Sequence, residues 1–147
     1  MPVHTRSVNR PPKAVVLVDD EKAYIDVLAD LMKEHLGWPV VTFTRPEEAL
    51  AALPALEVGV IVTDYYMPRM DGFEFIRQSS RLLPEVPFIL ISGHTIHLPE
   101  DRLGGLKALR SILPKPFGWR RLVDEIVRQV PAYAEALARV PGETSGA

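Results

Sequence analysis

Short apolar runs and longer amphipathic stretches alternate along this chain. The runs are Ala14–Val18, Val40–Phe43, Val58–Val62 and Phe88–Ile91, with a weaker one at Ser111–Leu113. Several are rich in Val and Ile, and all are too short for helices, so they predict buried strands. Between them apolar residues recur at helical spacing. Tyr24, Val27, Leu28, Leu31 and Leu36 make one stripe, with Gly37 placed as a C-terminal cap. Thr44-Arg45-Pro46-Glu47 fits a capping box ahead of Ala49, Leu50 and Leu53. Phe73, Phe75 and Ile76 predict a helix face packed on a sheet. The cleanest stripe is Trp119, Leu122, Val123, Ile126, Val127 and Val130, with Phe117 and Trp119 read as core residues at its start. Pro131 disfavours its continuation.

Strands alternating with helices predict an α/β fold: a doubly wound, five-stranded parallel sheet flanked by five helices. Each crossover must return the chain in the same direction, which a helix on the sheet face accomplishes. Ligand sites in such sheets lie at the carboxyl ends of the strands. Asp19, Asp20 and Glu21 follow the first run and Asp64 follows the third. Ser92 follows the fourth, and Lys115-Pro116 follows the fifth.

Three carboxylates converging at one place repel each other unless a cation neutralises them. Oxygen ligands without His or Cys suit Mg²⁺, which prefers a phosphate as a further partner. Lys115 offers a positive charge and Ser92 a hydroxyl to the oxygens of a transferred phosphoryl group. The implied chemistry is phosphoryl transfer to a carboxylate by positioning and charge neutralisation. Each residue alone has a plainer reading: a helix N-cap for the acidic pair, a turn for Ser92, a surface corner for Lys115-Pro116. Their joint occurrence at four strand ends favours the site. His94 and His97 stand three apart, but with no third ligand nearby they read as exposed loop residues. Asp71-Gly72 reads as a turn closing the loop after Asp64.

Composition narrows the function classes further. Of 147 residues, 47% are hydrophobic and 24% charged, so a packed globular domain is expected. The net charge of −2 supplies no strong field toward nucleic acid or an anionic membrane. There are no cysteines, which excludes disulfides, thiolate metal sites and cysteine nucleophiles. No apolar run approaches the ~20 residues of a membrane span, and no secretion signal opens the chain, so a cytoplasmic protein is expected. The start carries His4, Arg6, Arg10 and Lys13 without an acid, which suits a solvated tail.

The stretch Asp64-Tyr65-Tyr66-Met67-Pro68-Arg69-Met70-Asp71-Gly72 resembles the phosphoacceptor loop of response-regulator receiver domains. Val15–Asp20 is similar to that family's first strand and acidic pair, Ile89–Ser92 to its fourth strand and hydroxyl position, and Pro114–Phe117 to its lysine-proline corner. The resemblance covers about residues 13–130. It implies that Asp64 accepts a phosphoryl group from a phosphohistidine, on a sensor histidine kinase or a histidine phosphotransfer protein. It further implies Mg²⁺ held by Asp19, Asp20, Asp64 and the backbone carbonyl of Tyr66. By the same resemblance Lys115 would pair with the acyl phosphate, Ser92 would swing to bond it, and the Lys115–Pro116 peptide is expected to be cis. The protein is thereby a switch that catalyses its own phosphorylation and dephosphorylation, not an enzyme acting on other molecules.

Two departures from the family stand out. Ile112 occupies the position, three before the lysine, that usually holds a Tyr or Phe reporting phosphorylation. Gly104-Gly105 falls where a helix is expected between the fourth and fifth strands, predicting that this helix is short or broken. Residues 1–12 are expected as an N-terminal tail, 13–130 as the receiver, and 131–147 as a C-terminal tail without an output domain. Within that tail, Ala132–Val140 has the composition for a short helical piece. As a complete protein, a chain of this extent is expected to signal to a protein partner through the mostly basic surface from Leu98 to Arg128; a piece of a longer regulator is the alternative. A second receiver copy is an alternative occupant of that surface. Two other readings compete. One is a receiver-shaped interaction module that is never phosphorylated, against which the full residue set argues. The other is a haloacid-dehalogenase-type phosphohydrolase, which needs an Asp where Tyr66 stands.

Overall fold

In the computed structural model, residues 12–93 and 106–138 are described. Five strands form one sheet: β1 (Ala14–Val18), β2 (Val40–Phe43), β3 (Val58–Asp64), β4 (Phe88–Ser92) and β5 (Leu109–Pro114). All neighbouring pairs run parallel, in the order β2-β1-β3-β4-β5. Among the described residues the helices are α1 (Lys22–Leu36), α2 (Pro46–Ala52), α3 (Gly72–Leu82), α4 (Trp119–Gln129) and α5 (Pro131–Ala138). A single 3-10 turn, Leu53–Ala55, extends α2. This is the expected doubly wound fold.

The strand sequences dictate two apolar layers. Side chains alternate across a strand, so runs that are apolar at every position must be covered on both faces. Val15, Leu17, Val60, Val62, Ile89 and Ile91 face one layer, where Ile25, Leu28 and Met32 of α1 meet Leu122 and Ile126 of α4. Val16, Val18, Ile61, Phe88 and Leu90 face the other, beneath Ala49 of α2 and Phe73, Phe75 and Ile76 of α3.

Several boundaries differ from the expected ones. β3, β4 and β5 run further, so Asp64, Ser92 and Pro114 are the last residues of their strands rather than lying beyond them. Gly37 does cap α1, in the left-handed conformation, with its N–H donating to the Lys33 carbonyl at 3.0 Å. Val27, counted in that helix's stripe, is 58% exposed, and Ile25, Ala29 and Met32 are buried instead. The capping box at Thr44 does not form: the N-cap of α2 is Arg45 and makes no side-chain capping bond. Pro46 at the helix start fixes the boundary one residue later than the box requires.

The C-terminal tail expected from residue 131 instead begins as a packed helix. The preceding helix α4 stops at Gln129, short of Pro131 as expected, and Pro131 opens α5, where a short helical piece was read from Ala132, since proline is well tolerated in a first turn. Tyr133 of α5 is 1% exposed, its ring lies 4.7 Å from that of Trp38, and its hydroxyl donates to the Lys13 carbonyl. The helix between β4 and β5 with Gly104-Gly105 lies outside the described residues. So do His94, His97, positions 98–105 of the expected output surface, residues 1–11 and residues 139–147.

Candidate functional site

β1 and β3 are adjacent, but the helices that follow them leave on opposite faces of the sheet, α1 toward one layer and α3 toward the other. That divergence opens a crevice at their carboxyl ends. Asp19 stands directly after β1 and is fully buried, while Asp20 beside it is exposed. Asp64 closes β3 at 6% exposure. Backbone donors hold both buried carboxylates: Glu21 N–H to Asp19 Oδ1 at 2.9 Å, and Tyr65 N–H to Asp64 Oδ1 at 3.0 Å.

The loop after Asp64 is folded back tightly. Gly72 N–H donates to the Tyr65 carbonyl at 2.8 Å, and a Cβ on Gly72 would lie 2.6 Å from the Asp64 carbonyl oxygen. Gly72 is therefore required for close approach. Asp71 is more than a turn residue: as N-cap of α3 it accepts from Glu74 N–H at 2.9 Å. Ser92 is buried at the end of β4, and its carbonyl accepts from Lys115 N–H at 2.7 Å. The Lys115–Pro116 peptide is cis, as expected.

Lys115 reaches across to the acids. Its Nζ lies 3.0 Å from Asp19 Oδ2, 3.2 Å from Glu21 Oε1 and 3.7 Å from Asp64 Oδ1. Asp20, Glu21, Asp64, Tyr66, Gly93 and Lys115 line one recess. Carboxylate oxygens of Asp19, Asp20 and Asp64 all lie within 4.8 Å of one another. Burial, then the Asp19 charge, pushes the Asp64 carboxyl up to about 6, with Lys115 opposing the shift. Asp19 is likewise raised, chiefly by burial. Burial pulls the Lys115 ammonium down, but its bond to Asp19 and the Asp19 and Asp64 charges outweigh that and raise it. Such a set of converging oxygens, two of its three carboxylates buried, fits a small hard cation.

Of the five side chains expected at the site, those of Asp19, Asp20, Asp64 and Lys115 lie together, and Ser92 ends the neighbouring strand, joined to Lys115 through its backbone carbonyl. Two neighbours were missed. Glu21 was counted with the acidic pair but given no role, and it bonds Lys115. Tyr24 was counted as a core position of α1, yet its ring lies 4.5 Å beneath the Lys115 ammonium. The signal available in the sequence was their spacing, which puts both on the first turn after the acidic pair. Trp119 and Phe117, expected as core, are partly buried against it, Trp119 stacking on His35 at 5.1 Å.

A profile of the response regulator receiver domain matches residues 15–127 of the chain. The chain belongs to this family. Among characterised relatives, it is 32% identical over 115 residues to the C4-dicarboxylate transport transcriptional regulatory protein DctD of Rhizobium meliloti, covering 78% of this chain and 25% of DctD. It is 29% identical over 133 residues to the transcriptional regulatory protein FixJ of Bradyrhizobium diazoefficiens, covering 85% of this chain and 62% of FixJ. The chain thus spans less than two thirds of either protein. Among solved structures, the beryllofluoride-activated NtrC4 receiver domain dimer aligns with a TM-score of 0.70 at 30% identity, over 83% of this chain and 99% of that one. The response regulator TrrA of Thermotoga maritima, in complex with Mg²⁺ and BeF, shares the fold at a TM-score of 0.69 and 22% identity, over 81% of this chain and all of that one. Receivers are two-component phosphoacceptor switches that take phosphoryl groups from kinases and bind Mg²⁺. Among the described residues, no helix is long and apolar enough to cross a membrane.

Proposed function

We propose that this receiver is phosphorylated on Asp64 by a sensor histidine kinase or a histidine phosphotransfer protein. The observation that carries the reading is the Asp19, Asp20 and Asp64 oxygens within 4.8 Å of one another, with the Lys115 ammonium 3.7 Å from Asp64. An Asp64 oxygen forms the new bond to phosphorus as the bond from phosphorus to the donor imidazole nitrogen breaks. Lys115 supports the negative charge of the phosphoryl oxygens, and the Ser92 hydroxyl donates to one of them. Asp19, Asp20, Asp64 and the Tyr66 carbonyl would hold Mg²⁺, which supplies further neutralisation of that charge. The same residues supply the chemistry of dephosphorylation, so the domain times its own signal.

The resulting change passes to a protein partner through the face that includes β5 and α4. Ile112 on β5 is 42% exposed, an apolar residue open at the sheet edge where the family usually carries its aromatic reporter. The test is incubation with acetyl phosphate and Mg²⁺. The wild type should gain one acid-resistant, base-labile phosphate and Asp64→Asn none. Labelling of Asp64→Asn at the wild-type level would overturn the assignment.

A further inference from the structure

The ammonium of Lys115 is surrounded by four groups: Asp19 at 3.0 Å, Glu21 at 3.2 Å, Asp64 at 3.7 Å, and the Tyr24 ring with its centroid at 4.5 Å. These groups fall into two sets. Asp19 and Asp64 belong to the cluster that suits a divalent cation, so the lysine and that cation compete for the same oxygens. Glu21 and Tyr24 lie outside it.

We infer that Glu21 and Tyr24 are positioning residues for Lys115, a bracket that keeps its ammonium at the mouth of the site independently of the three aspartates. This rests on the reading of Asp64 as phosphoacceptor. Glu21 is the N-cap residue of α1 but makes no side-chain capping bond, so its carboxylate serves the lysine instead. Its pairing alone is weak, because the side chain is 68% exposed and water screens it. Tyr24 supplies the partly buried half of the bracket. Its ring meets Phe117 edge-on, with centroids 6.3 Å apart, and Phe117 lies two residues beyond the lysine. Ring and lysine are thus fixed to the same corner of the chain. The Tyr24 hydroxyl is buried without a hydrogen-bond partner among the described residues. The polar tip does not explain the residue; the ring face toward the cation does. An aromatic face attracts an ammonium and competes for no carboxylate, so it holds Lys115 while leaving Asp64 accessible.

The bracket is tested by titrating beryllofluoride, a phosphoryl mimic, at saturating Mg²⁺, and by titrating Mg²⁺ alone. Tyr24→Met keeps bulk and helix propensity but has no π face. It should weaken beryllofluoride binding about fivefold, the loss of one partly shielded cation–π contact, while Mg²⁺ affinity holds. Tyr24→Phe should restore wild-type binding, because the ring remains. Glu21→Gln, at an exposed position without a capping role, should weaken beryllofluoride selectively and carries the test if Tyr24→Met fails to fold. Parallel weakening of both ions would mark a merely structural role and overturn the inference. So would a Tyr24→Phe as weak as Tyr24→Met, or beryllofluoride binding unchanged in both Tyr24→Met and Glu21→Gln. A wild type that binds no beryllofluoride would instead overturn the phosphoacceptor reading beneath it.

Discussion

Lys115 Nζ stands 3.7 Å from Asp64 Oδ1, too far for a hydrogen bond, whereas Asp19 holds the same ammonium at 3.0 Å. The cation therefore lowers the energy of an ionised Asp64 through charge alone, against the burial that raises it. Lys115→Met should remove that support and move the Asp64 carboxyl above its present value of about 6. A carboxyl-carbon NMR titration in metal-free buffer measures the shift. A value that stays or falls would contradict the balance of charges drawn for the site.

The same raised carboxyl sets how metal-free stability depends on pH. In the folded chain Asp64 ionises near 6, and in the unfolded chain near 3.8. Between those values the folded state holds a proton that the unfolded state has released, so rising pH favours unfolding. Stability should fall between about pH 4 and 6 by roughly 2 kcal/mol, from this group, and then level off. Asp19, also raised, adds in the same direction. Urea unfolding in EDTA should show this fall in the wild type and a flatter profile, with higher stability at neutral pH, in Asp64→Asn.

A ligand that binds only the folded chain must stabilise it. Mg²⁺ at a hundred times its dissociation constant should add about 2.7 kcal/mol. Asp20→Ala, which removes the exposed member of the acidic cluster, should lose most of that increment. Melting curves with and without millimolar Mg²⁺ decide it, and a wild-type Tm indifferent to the ion would count against a cation at these carboxylates.

Gly72→Ala should damage the site from behind. Its Cβ would sit 2.6 Å from the Asp64 carbonyl and 2.8 Å from Leu90 Cδ1, so the backbone bearing the acceptor must move. We expect about 1–3 kcal/mol of lost stability, the range for overpacking, together with slower phosphorylation by acetyl phosphate. Wild-type stability and rate in this variant would show that the loop yields without consequence.

Tyr133 offers the opposite separation of effects. It is buried beside Trp38 and sits at the amino ends of the strands, next to Lys13 and Gly59, away from the acids. Tyr133→Ala should cost about 3 kcal/mol, as truncation of a buried aromatic does. The initial rate of labelling at 20 °C should match that of the wild type so long as the variant stays folded. Chemical denaturation beside a labelling time course separates the two.

The sequence by itself determined the sheet, its partners on both faces, and the identity of the side chains at the strand ends. Val15–Val18 could only become a strand covered on both sides, because four consecutive apolar residues leave no face for water. Asp19, Asp64, Ser92 and Lys115 were legible for the same reason: alternation of strand and helix forces the carboxyl ends of parallel strands to one edge of the sheet. Covalent order fixes that outcome without distances. Relationships between residues far apart in the chain were decided only by tertiary structure. Helical spacing placed Tyr24 on the core stripe of α1. It could not show Phe117 and Lys115 arriving against its ring, because that corner comes from the other end of the chain. Composition placed Tyr133 in a short helical piece beyond the receiver, and only the fold set Trp38 and the Lys13 carbonyl opposite it. Even the acidity of Asp64 belongs to this second class. Aspartate chemistry alone puts its carboxyl at 3.8; burial beside Asp19, which only folding brings about, moves it to about 6.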